Sequence, residues 1–208
     1  MLNIHLLAGH SWHRMLRMLL SAGICAALLA CGEKGPAFTS IDVTGADYAK
    51  DFSVLDQNGQ QRSLKDFKGK VVVVFFGYTQ CPDVCPTTLA ELVEVKRLLG
   101  AEGAKLQPLF ITVDPERDQA DMLKNYMANF DANFLALRPT AEQLLALTKD
   151  YKMYFKRVEG KTPTSYTMDH SAGSYVYDTQ GRLRLYTRYG SGAAPLAEDI
   201  KKLLASNP

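Results

Sequence analysis

VVVVFFGYTQCPDVCP, residues Val71 to Pro86, joins a continuous apolar run to a turn that holds two cysteines four positions apart. Four valines and two phenylalanines with no polar alternation read as a strand buried on both faces, the pattern of a central strand in a layered sheet. Downstream, Leu89, Leu92, Val93, Lys96 and Leu99 recur at helical spacing and Gly100 stops the run, so a helix follows the cysteines directly. If that helix begins near Asp83, Cys81 lies just before it and Cys85 falls in its first turn. Unpaired amide N–H groups and the positive end of the helix dipole favour thiolate there. Pro86 is tolerated because first-turn amides have no intrahelical partner to lose.

The flanking segments extend this strand–turn–helix unit into a layered domain. Before it, Phe52 to Asp56 reads as a short strand, and Gln57-Asn58-Gly59-Gln60 carries the Asn-Gly hairpin signal. After it, Leu106 to Val113 is a second buried strand that ends in Asp114-Pro115. Gln119 to Asn129 is a helix with Met122, Tyr126, Met127 and Phe130 on one face, and Phe134 to Leu137 is a short strand. Thr140 to Tyr151 is a helix with Thr140 as its N-cap. A polar excursion spans Val158 to Thr167. Ser174 to Asp178 and Leu183 to Tyr186 form a hairpin across Thr179-Gln180-Gly181, and Pro195 to Ala205 is a closing helix. This order predicts an α/β, thioredoxin-like fold: a central mixed sheet flanked by helices, with an N-terminal β-hairpin.

The N-terminus has a different character. Arg14 and Arg17 precede the apolar run Met18 to Ala30, which at about 13 residues suits a secretory signal better than a membrane span of roughly 20. The run ends Leu28-Leu29-Ala30-Cys31-Gly32, similar to a bacterial lipobox with Cys31 as the lipid acceptor. Residues 1–31 are therefore expected to be a signal peptide, 32–48 a tether, and 49–208 the folded domain, exported and held at a membrane by its lipid. Met15 is a second candidate start. Without residues 1–31 the chain carries 22 basic and 22 acidic side chains. That neutrality argues against nucleic-acid binding, which requires a basic patch.

The same subtraction sharpens the chemistry. Cys25 and Cys31 fall within the leader, as do His5, His10 and His13, so the domain owns two thiols, Cys81 and Cys85, and one imidazole, His170. Three readings compete. A structural disulfide between Cys81 and Cys85 would close too short a loop to stabilise much. A thiol–disulfide oxidoreductase would use the two cysteines as its redox-active pair, although such enzymes space them Cys-x-x-Cys. Two thiolates and one imidazole suit Cu(I), whereas structural zinc normally takes four protein ligands. Among nearby side chains, Asp83 is expected to cap the helix, and Asp169 to orient His170 or form a surface ion pair. Met168 is expected to pack or to serve as an accessory soft ligand. Asp114-Pro115-Glu116-Arg117-Asp118 is expected to form a charge-paired loop at the end of the sheet where sites gather.

Three blocks, FGYTQCPDVCPTTL, ITVDPERD (Ile111 to Asp118) and YTMDHSAGSYVYD (Tyr166 to Asp178), resemble the signatures of the Sco/SenC copper proteins, over about Phe52 to Leu204. The resemblance implies Cys81, Cys85 and His170 as ligands of one copper ion. It also implies a Cys81–Cys85 disulfide on oxidation and a task at the Cu-A site of cytochrome c oxidase subunit II, either copper delivery or reduction of that site's cysteines. The implied partners are that subunit or another copper acceptor, together with a periplasmic copper donor or thiol reductant.

Overall fold

The computed structural model describes residues 37–162 and 165–206. The expected signal peptide, the lipobox Cys31 and the alternative start at Met15 lie outside the described residues.

The apolar run forms strand β4 (Val71–Gly77), with every residue buried. It lies at the centre of an eight-stranded sheet of order β1-β10-β9-β4-β5-β6-β2-β3. The other strands are β1 (Ile41–Asp42), β2 (Val54–Asp56), β3 (Gln61–Arg62), β5 (Leu106–Thr112), β6 (Leu135–Arg138), β9 (Ser174–Tyr177) and β10 (Leu183–Thr187). Pairing is parallel from β4 to β5 and from β5 to β6, and antiparallel elsewhere, so the sheet is mixed. Because side chains alternate across a strand, Val72, Val74 and Phe76 enter one core while Val71, Val73 and Phe75 enter the other. Each such side chain contributes roughly 1.5–3 kcal/mol by leaving water.

Helices cover both faces, as the thioredoxin-like reading requires. On one side lie α1 (Val84–Leu98), α2 (Ala120–Ala128) and α4 (Ala193–Ser206), which contribute Leu89, Leu92, Leu123, Met127, Ile200 and Leu203 to the core. On the other side α3 (Ala141–Asp150) contributes Leu144 and Leu147. Thr140 caps α3: its hydroxyl accepts from the Gln143 amide at 3.2 Å while the Gln143 side chain accepts from the Thr140 amide at 2.8 Å. Gly100, at φ +57°, follows α1 and allows the chain to leave it.

Four expectations need correction. Asp83 occupies the N-cap of α1, but its side chain makes no capping bond to the helix amides; its Oδ1 accepts instead from the Thr87 hydroxyl at 3.4 Å. Met122 faces solvent, and Leu123 takes its place in the core. The apparent tether is already part of the fold at Thr39. There the amides of Thr39 and Ser40 donate to the buried Asp199 carboxylate at 2.9 and 2.8 Å, and Ile41–Asp42 pairs with β10. Finally, the polar excursion begins and ends in strands β7 (Phe155–Val158) and β8 (Thr167–His170), which form a separate antiparallel pair. β7 has an almost wholly exposed sequence, FKRV, so no buried alternation announces it.

Candidate metal centre

Three elements deliver three ligand atoms to one place. Beyond β4 the chain turns at Tyr78, whose carbonyl accepts from the Cys81 amide at 3.2 Å, and α1 begins at Val84. Cys81 is half-buried on the turn and Cys85 is fully buried in the first turn of α1. His170 ends β8, where the Ser171 amide donates to the Tyr154 carbonyl at 2.9 Å. The sulfurs of Cys81 and Cys85 and a ring nitrogen of His170 all lie within 4.8 Å of one another. Cys85 Sγ is 3.6 Å from His170 Nε2. Both cysteines are free thiols in this structure.

The surroundings prepare these groups for a cation. His170 Nδ1 lies 3.0 Å from the Ser171 carbonyl oxygen, which can only accept. Nδ1–H therefore donates to that carbonyl, which fixes the ring and turns Nε2 toward the sulfurs. Cys81 is held down to about 3, foremost by the hydrogen bond from the Cys85 thiol, which outweighs the upward push of burial; His170 and the amides of Asp83 and Cys85 add to the effect. The Cys85 amide, one of the unpaired donors of the helix mouth, points at Cys81 Sγ from 3.5 Å. Cys85 is driven the other way, by its bond to the Cys81 thiolate and by burial. The pair thus holds one proton: an exposed-side thiolate over a buried thiol.

Residues beyond the candidate trio make this possible, two of them glycines that no motif reading singled out. A Cβ at Gly77 would stand 2.6 Å from Cys85 Sγ and 2.7 Å from the Phe110 ring, so only glycine lets the helix mouth settle on β4. A Cβ at Gly173 would meet the Tyr186 hydroxyl at 2.0 Å, so glycine there lets the loop after His170 lie on that ring. Asp118 is fully buried beneath the cysteine loop and takes the Thr79 amide at 3.1 Å and the Thr112 hydroxyl at 2.5 Å. The Tyr78 ring stands edge-on to His170 with centroids 6.0 Å apart. The proximity of two small residues to bulky partners far along the chain leaves no local signal, whereas Asp114 to Asp118 was marked by its charge pattern.

The secondary candidates resolve differently. Met168 is buried in the core and packs there. Asp169 is exposed opposite Lys156, and the Ser171 carbonyl rather than Asp169 orients the histidine ring. In the Asp114 to Asp118 loop, Arg117 pairs with Asp114, so the charges are matched as expected.

The family model described as SCO1/SenC matches residues 42–205. The chain belongs to the SCO1/SenC family. Among its SCO1/SenC relatives, the mitochondrial SCO2 homolog of Bos taurus is 36% identical over 158 residues, covering 75% of this chain and 59% of that protein. The SCO2-like protein of Rickettsia felis is 33% identical over 152 residues, covering 73% and 74%. The chain thus spans about six-tenths of the length of its bovine relative. Copper-bound ScoI of Bradyrhizobium japonicum superposes with a TM-score of 0.69 at 39% identity, covering 76% of this chain and 99% of that one. Copper-bound yeast Sco1 does so with a TM-score of 0.70 at 30% identity, covering 78% and 91%. These SCO1/SenC structures share the thioredoxin-like architecture described above.

Proposed function

We propose that this chain is a copper-binding protein of the periplasmic face of a bacterial membrane. It delivers copper to the Cu-A site of cytochrome c oxidase subunit II, or reduces the cysteines of that site. The observation that carries the reading is the convergence of Cys81, Cys85 and His170 within 4.8 Å, with no fourth cysteine or histidine among the described residues to complete a structural zinc site. Two thiolates and a neutral imidazole match the softness and low coordination number of Cu(I). Relatives solved with copper bound, at 39% and 30% identity, support the same assignment. The copper is cargo, held by Cys81 and Cys85 as thiolates with His170 Nε2, and passed on by exchange with the thiolates of an acceptor.

The address follows from the leader: Cys31 as a lipid anchor would hold the domain at the membrane surface, where a periplasmic copper donor and a thiol reductant can reach it. Among the described residues no helix is long and apolar enough to cross a membrane. Oxidation to a Cys81–Cys85 disulfide would remove two of the three ligands, so redox state gates binding. A second reading, a thiol–disulfide oxidoreductase in redox homeostasis, draws support from the asymmetry of the pair. Cys81, held down to about 3, is a ready nucleophile with Cys85 beneath it to resolve a mixed disulfide.

Anaerobic titration of the reduced chain with Cu(I) separates the two. The copper reading expects saturation near one ion per chain, with binding weakened by His170→Ala while both thiols stay reactive. Failure of the reduced chain to bind Cu(I), together with rapid turnover of a generic disulfide that His170→Ala leaves untouched, would reject it in favour of the reductase.

A further inference from the structure

The three ligands come from two segments that share no backbone pairing: the turn after β4 carries the thiols and β8 carries the histidine. Something must hold β8 in register with that turn. Arg117, on the loop after β5, touches both. Its Nη1 donates to the side chain of Gln80, next to Cys81, at 3.0 Å, and to the Tyr166 carbonyl, just ahead of β8, at 2.9 Å. Its Nε pairs with the buried Asp114, whose other oxygen accepts from the Tyr166 hydroxyl at 2.8 Å. The guanidinium also stacks on the Tyr166 ring at 3.5 Å and lies 5.7 Å from the Tyr78 ring, the same ring that stands against His170.

We propose that Arg117 is the positioning residue of the metal centre, a clamp that sets the distance and angle of His170 relative to the two thiols. The inference rests on the copper reading above for what the site holds, but the clamp itself is a property of the metal-free chain. Its chemistry explains why arginine stands there: a planar fork can bond in one plane to two segments while stacking a face on an aromatic ring, and an ammonium cannot. The cost is visible. Arg117 Nη2 is buried without a hydrogen-bond partner, a penalty of the kind that folds accept where function requires the placement.

The test uses the full chain, reduced and metal-free, and follows the ring-proton resonances of His170, assigned by their loss in His170→Ala. Affinity for Cu(I) is measured in parallel against a chromophoric chelator. Arg117→Met is expected to shift and broaden the His170 resonances and to weaken Cu(I) binding about 10- to 100-fold, the range for residues that orient metal ligands. Arg117→Lys, which keeps the charge and loses the fork, is expected not to rescue either signal. Gln80→Ala, at an exposed position, removes one tie and is expected to move both readouts in the same direction by less. Arg138→Met frees the Pro115 carbonyl from its bonds at 2.8 and 3.1 Å and so loosens the same loop elsewhere; it is expected to leave His170 unmoved.

Wild-type resonances in Arg117→Met, full rescue by lysine, or an equal shift from Arg138→Met would each overturn the clamp. If Arg117→Met does not fold, unchanged resonances and affinity in both Arg117→Lys and Gln80→Ala overturn it instead. If the wild-type chain binds no Cu(I), the copper reading fails on its own, and the His170 resonances still decide on Arg117.

Discussion

Cys81 and Cys85 are the same residue type in opposite electrostatic settings, and the difference should be measurable. Cys81, held down to about 3, is thiolate throughout the neutral range. Its alkylation in the reduced, metal-free chain should therefore be nearly independent of pH between about pH 5 and 8, where a free thiol of pKa near 8.5 would quicken steadily. Cys85→Ala removes the strongest donor to Cys81, so its rate should fall at the acid end and regain a pH slope. A steep slope in the wild-type chain would refute the assignment. At Gly77 the constraint is steric rather than electrostatic. An added methyl would start 2.6 Å from Cys85 Sγ and 2.7 Å from a ring at the centre of the core. Gly77→Ala is expected to cost about 1–3 kcal/mol in denaturant unfolding, the range for overpacking, and to weaken metal binding as Cys85 is displaced.

At the scale of elements, the hairpins β2–β3 and β9–β10 use the same device. In β2–β3 the buried Asp56 accepts from the amides of Asn58 and Gln60 at 2.8 and 2.9 Å and from Arg62. In β9–β10 the fully buried Asp178 accepts from the amides of Gln180 and Arg182, each at 3.0 Å, and pairs with the Arg182 side chain at 2.7 Å. Burial pushes the Asp178 carboxyl up, but the bonds from Arg182 and Gln180 outweigh it, and the net shift is downward. A carboxyl whose folded value lies below its unfolded one contributes stability that is present above the unfolded value. That stability is lost as pH falls through the folded value. Asp178→Asn should therefore destabilise the domain by roughly 1–3 kcal/mol at neutral pH, with the gap from wild type closing as pH drops below about 4. Urea unfolding at several pH values reads this directly; a pH-independent gap would assign the cost to shape alone. The β7–β8 pair is the element that sequence periodicity could not reveal, since its exposed strand buries nothing. It is also the one that carries the histidine.

For the whole molecule, binding and stability are one quantity. The candidate metal-binding residues join the start of α1 to the end of β8, 85 positions apart, and an ion that binds only the assembled site stabilises the fold. With free Cu(I) a thousandfold above its dissociation constant, the gain is about 4 kcal/mol. Thermal unfolding of the reduced chain should shift upward with one equivalent of Cu(I) and return on adding a chelator, and His170→Ala should lose most of the shift. No shift on binding would mean that the ion sits elsewhere.

The central strand, the cysteine-bearing helix and the layered order around them were legible in the sequence, because burial imposes period and composition on each segment locally. So was the trio Cys81, Cys85 and His170 that the structure brings within 4.8 Å, since no other cysteine or histidine follows residue 31 in the sequence. Only the tertiary structure decided how they are held. It showed glycine at 77 and 173 making room for distant side chains, Asp118 under the cysteine loop, and Arg117 spanning two segments. Each of those roles is a contact between residues far apart in the chain, where neither periodicity nor spacing carries a signal.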